Sequence, residues 1–100
     1  MRTKAEELAD FLQRISIFYV NIERPAKKGS TVETTIVDKS GISCSVEKNI
    51  MTFRGKEKAA SFKILKNAVV IINEINKNMV ITTFAKNGGL QIKSTSYNYF

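Results

Sequence analysis

Apolar side chains recur at Leu8, Phe11, Leu12, Ile15, Phe18, Tyr19 and Ile22, with Glu6, Glu7, Asp10, Gln13 and Arg14 between them. That is the spacing of a helix with one buried face. Thr3-Lys4-Ala5-Glu6 has the form of a capping box, in which the Thr hydroxyl and the Glu carboxylate each accept from an otherwise orphan amide at a helix start. Pro25 closes the segment, because the residue before a proline is pushed out of the helical region. The pattern therefore predicts a helix over residues 1–24, regular to about Val20. Its weakest part is ISIFYVNI, residues 15–22, whose β-branched and aromatic content also suits a strand.

Residues 25–30, PAKKGS, form a polar connector, and the punctuation then changes. Turn-forming clusters recur roughly every ten residues from Asp38-Lys39-Ser40-Gly41 to Lys86-Asn87-Gly88-Gly89, as in consecutive short antiparallel strands. The runs between them are Thr31 to Val37, Ile42 to Val46, Ile50 to Phe53, Ala59 to Leu65, Ala68 to Asn73, Met79 to Ala85 and Leu90 to Tyr97. The expected fold is α+β, with the amphipathic helix laid across an antiparallel meander of about six or seven short strands filling residues 31–100. The alternative is a second helix over 57–76, giving α-β-β-β-α-β-β, since Phe62, Leu65, Val69, Ile72 and Ile75 also stand at helical spacing. Against it stands Val69-Val70-Ile71-Ile72, four β-branched residues that cannot share one helical stripe and that lose rotamer freedom in a helix.

One hundred residues fit a single domain, and 43% hydrophobic with 25% charged residues is ordinary globular composition. Charge changes the picture more. Residues 1–50 hold eight basic and seven acidic side chains, whereas residues 51–100 hold eight and two, so nearly all of the +7 excess lies in the second half. Such a field attracts nucleic acid or an acidic protein, and it also keeps a small chain soluble.

Catalytic chemistry finds little purchase. With no histidine, the commonest general base, metal ligand and nucleophile activator are absent. Cys44 is the only cysteine, set in an alternating GISCSVEKN that suits a buried structural thiol. No dinucleotide or phosphate-loop glycine pattern occurs, and Glu6, Glu7 and Asp10 suit the positive end of a helix without a metal. No cofactor and no metal site are expected. The charged N-terminal stretch does not read as a secretory signal, and no apolar run approaches the ~18 residues that span a bilayer. The expected setting is cytoplasmic.

The most suggestive stretch is MTFRGKEKAASFKILKN, residues 51–67, where phenylalanines interleave with cations. Arg54, Lys56, Lys58, Lys63 and Lys66, joined by Lys86 and Lys93, are the candidate nucleic-acid contacts, with Phe53 and Phe62 either stacking bases or filling the core. Tyr97, Tyr99 and Phe100 are the candidate protein contact, because aromatics are enriched where partners dock. Three readings follow: a non-catalytic domain holding RNA or DNA mainly through phosphates; an adaptor or inhibitor using a sheet edge or the aromatic C-terminus, with an acidic protein as partner; and a His-free ribonuclease.

Overall fold

A computed structural model describes residues 2–75 and 78–95. Its elements in chain order are α1 (Lys4–Leu12), β1 (Ile17–Pro25), a short 3-10 turn (Lys27–Gly29), β2 (Thr31–Val37), β3 (Ser43–Glu47), β4 (Ile50–Arg54), β5 (Ala59–Lys63), β6 (Val69–Ile75), β7 (Asn78–Ala85) and β8 (Gly88–Thr95). The fold is α+β with antiparallel sheets. One sheet has five strands in the order β2-β1-β8-β7-β6, and the other has three in the order β3-β4-β5.

The capping box forms as its spacing requires: Thr3 Oγ1 accepts from the Glu6 amide at 3.1 Å and Glu6 Oε1 from the Thr3 amide at 2.7 Å. Helix α1 then buries Ala5, Leu8, Ala9 and Leu12 and lies against β3 and β4. The expected helix over 1–24 is corrected at its second half. It stops after Leu12, and Ile17–Pro25 is a strand paired with β2 on one side and β8 on the other. The β-branched and aromatic residues that weakened the helix reading prevail, because two ladders satisfy the backbone while Ile17, Val20 and Ile22 are buried.

The single meander is likewise corrected to two sheets. The second helix considered for residues 57–76 is not formed over the described residues 57–75, which contain β5 and β6. Alternation in the small sheet sends Cys44, Val46, Met51, Phe53, Ala60 and Phe62 inward, against Val20, Ile22, Ile36, Ile81, Leu90 and Ile92 of the large sheet. Phe53 and Phe62 are thus core residues, unavailable for stacking on bases.

Within the large sheet, β1 and β8 approach each other tightly at Gly88. A Cβ there would sit 1.9 Å from the Glu23 carbonyl oxygen, and its φ of 122° is one that side chains avoid. Only glycine lets β8 pass β1 so closely.

Candidate functional site

Register places the seven candidate cations in separate neighbourhoods. Together with Ser43, Ser45, Thr52, Ser61, Ile50 and Glu47, Arg54 and Lys63 stand on the outward face of the small sheet. Between them runs a row of hydroxyls from Ser45, Thr52 and Ser61, the last two 2.9 Å apart. Lys56 and Lys58 sit on the β4–β5 loop, where with Lys39 they line a cleft of about 560 Å³ against the end of β2. Lys66 lines another, of about 440 Å³, with Arg2 and Lys4 at the start of α1. Asn87, the residue after Lys86, donates to the Lys63 carbonyl at 2.9 Å. Lys93 lies on the open face of the large sheet, its Nζ 4.6 Å from the centre of the Tyr19 ring. That face and the outward face of the small sheet look away from the core in opposite directions, so Lys93 shares no surface with Arg54 and Lys63. Tyr97, Tyr99 and Phe100 lie outside the described residues.

The β4–β5 loop has a second task. Asp38, just beyond β2, accepts from the Lys56 amide at 2.7 Å and from Ser40, and these bonds hold its carboxyl below the usual range. Lys58 Nζ reaches the Thr35 carbonyl at 3.4 Å, so the loop covers part of the β2 edge.

Among the described residues, the opposite edge of the same sheet has no such cover. Strand β6 has β7 on one side and, again among the described residues, no strand on the other. Val69, Ile71 and Ile72 are 56%, 43% and 47% exposed, and Phe84 beside Val69 on β7 is 53% exposed. Sequence reading counted these residues as core, because alternation reveals the face of a strand but not whether a neighbouring strand follows.

The open face of the large sheet carries a further arrangement that no local motif announces. One cross-strand row reads Glu33, Glu23, Gly89, Phe84, Val69, and the next reads Thr35, Asn21, Gln91, Thr82, Ile71. Glu23 and Glu33 face each other across β1 and β2, and carboxyl hydrogen bonding with Glu33 together with that neighbour's like charge holds the Glu23 carboxyl above its ordinary value. Asn21, nearly buried, accepts from Thr35 Oγ1 at 2.6 Å. Where Gly89 lacks a side chain a trough of about 190 Å³ opens between Glu23 and Phe84.

Nucleophilic chemistry is disfavoured at Cys44, whose thiol is pushed up to about 11 by burial. Among the described residues no group of three or more metal-ligating side chains converges, and no helix is long and apolar enough to cross a membrane. No protein-family model matches the chain, and no significant match was found to a curated protein or to a solved structure.

Proposed function

We propose that this chain is a protein-interaction module that takes an extended, acidic segment of its partner as a sixth strand beside β6. One observation carries the reading: a seven-residue edge strand with Val69, Ile71 and Ile72 turned to water and, among the described residues, no strand beside it opposite β7. Natural edges are ordinarily protected by lysine, proline, bulges or a covering loop, and an unprotected apolar edge is a template for strand addition. In β6 the only charged residue is Glu74. An acidic partner would complement the overall basic excess of residues 51–100, which carry eight basic and two acidic side chains.

A short fluorescent peptide of alternating Glu and Val tests this. Its anisotropy should rise on addition of the protein, and β6 amides that do not pair with β7 should exchange more slowly in the complex. Ile71→Lys should abolish both effects while preserving the fold. Absence of binding, or equal binding by Ile71→Lys, refutes the reading. A concentration-dependent dimer with protected β6 amides would put a second copy on the edge instead and equally overturn the acidic partner.

A second reading has its own observation. The row Ser45, Thr52, Ser61 between Arg54 and Lys63 offers hydroxyl donors and two cations on a face whose other large side chains are Ile50 and the acidic Glu47, a surface on which the cations and hydroxyls could hold phosphates away from Glu47. Anisotropy with single- and double-stranded RNA and DNA across a salt series tests it. Arg54→Ala and Lys63→Ala should each weaken binding to all sequences and flatten the log–log salt slope by about 1. Binding without a salt slope contradicts it.

A further inference from the structure

We infer that the trough between Glu23 and Phe84 is a binding site for a guanidinium group. This goes beyond strand addition at β6 and does not depend on it. The argument begins with register. Glu23, Gly89 and Phe84 are direct cross-strand neighbours on β1, β8 and β7, so the carboxylate and the ring stand two strand spacings apart, about 9 to 10 Å. A side chain at position 89 would fill the interval. Glycine leaves it open, and the resulting space of about 190 Å³ corresponds to roughly six water molecules.

The walls select the ligand. On one side Glu23 and Glu33 face each other from paired strands, an arrangement of like charges that costs stability unless a proton or a cation lies between them. On the other side stands the half-exposed Phe84 ring, and an aromatic face attracts a cation within about 6 Å of its centre. Asn21 already spends its oxygen on Thr35, leaving the carboxylates as the anionic acceptors, with Gln91 and Thr82 as neutral polar lining. A planar fork that can bond a carboxylate through two N–H groups while lying against an aromatic ring is a guanidinium; an ammonium, compact and strongly hydrated, exploits neither feature as well. The local sign opposes the chain's +7, so general attraction cannot explain occupancy by a cation.

Two sources share this chemistry, a free guanidino compound and an arginine side chain in a peptide. Calorimetric titration of the whole chain near neutral pH with agmatine, with Ac-Gly-Arg-Gly-NH2 and with butylamine distinguishes them. Saturable binding of agmatine or of the peptide, stronger than that of butylamine, supports the site, and whichever of the two binds identifies the source. Glu23→Gln should weaken that binding about tenfold to a hundredfold, as expected for loss of a charge-assisted bond. Phe84→Leu should weaken it severalfold. Gly89→Ala should also weaken it, and this variant keeps the test independent of folding: its Cβ would meet only the Thr83 carbonyl oxygen, at an ordinary 3.6 Å. No saturation by either guanidino probe at millimolar concentration overturns the inference. So does butylamine binding as tightly, or guanidinium binding that survives both Glu23→Gln and Gly89→Ala.

Discussion

The large sheet ends in two edges that are treated differently. At β2 the β4–β5 loop lies alongside, tied by Lys58 to Thr35 and by Asp38 to the Lys56 amide, and Ile36 is buried. At β6 no described strand lies alongside opposite β7, and Ile72 on the core-facing side is nearly half exposed. A small domain usually protects both edges because an unpaired ladder invites other chains. Protection of one alone marks the other as the place where pairing is wanted, and this asymmetry underlies the proposed strand addition.

Equivalent truncations at the two edges give the sharpest contrast. Ile36→Ala should cost about 2 to 5 kcal/mol, the range for a buried Ile, since Ile36 is only 2% exposed and touches the loop closely enough that a Cβ on Gly55 would meet its Cγ2 at 2.8 Å. Ile72→Ala, already half in water, should cost less than about 1 kcal/mol. Urea melts of the two variants check this, and equal costs would erase the contrast.

Next in size is the joint between the edges. Gly88→Ala should destabilise by about 2 to 3 kcal/mol, from a positive φ together with collision against the Glu23 carbonyl. Hydrogen exchange should show β6, β7 and β8 loosening more than β2. Gly89→Ala, one residue on, should stay within about 0.5 kcal/mol. A smaller gain is expected beside β6: Thr83 is buried on the core face with its hydroxyl unpartnered, so Thr83→Val should stabilise by about 1 kcal/mol in the same melts.

How legible all this was depends on whether the information is local. The Thr3–Glu6 cap and strand β2 follow from residues adjacent in sequence, and both form with the boundaries their pattern implies. Residues 15–22 were ambiguous because their apolar spacing serves a helix and their branching serves a strand. The decision comes from β8, about seventy residues away, which supplies the second ladder for β1. The division into two sheets is equally non-local. So is the trough: Glu23, Gly89 and Phe84 belong to three strands, and nothing in the spacing of two glutamates, a glycine and a phenylalanine predicts that they meet. Net charge located the basic half of the chain but not the surfaces on which its cations fall.

The smallest expected effect concerns pH, and it again separates the edges. Asp38 has its carboxyl held below the usual range by bonds from Ser40 and from the Lys56 amide, so its contribution is complete above an ordinary aspartate value near ~3.9 and is lost as pH falls through its lowered folded value. Glu23 has the opposite sign. Its carboxyl is raised by the bond to Glu33 and by that neighbour's charge, so its contribution is complete below an ordinary glutamate value near ~4.3 and is lost as pH rises through its raised folded value. Both groups act on β2, one at each end, so this edge should be tightest near pH 4 and should loosen in either direction. Amide exchange along β2, corrected for its intrinsic pH dependence, measures this. Asp38→Asn should flatten the acid side of the profile and Glu23→Gln the alkaline side, while β6, with neither group beside it, keeps its own profile in both variants. A β6 profile that shifts with either substitution would mean the two edges are coupled through the sheet, and the bare edge could then not be treated as an independent docking element.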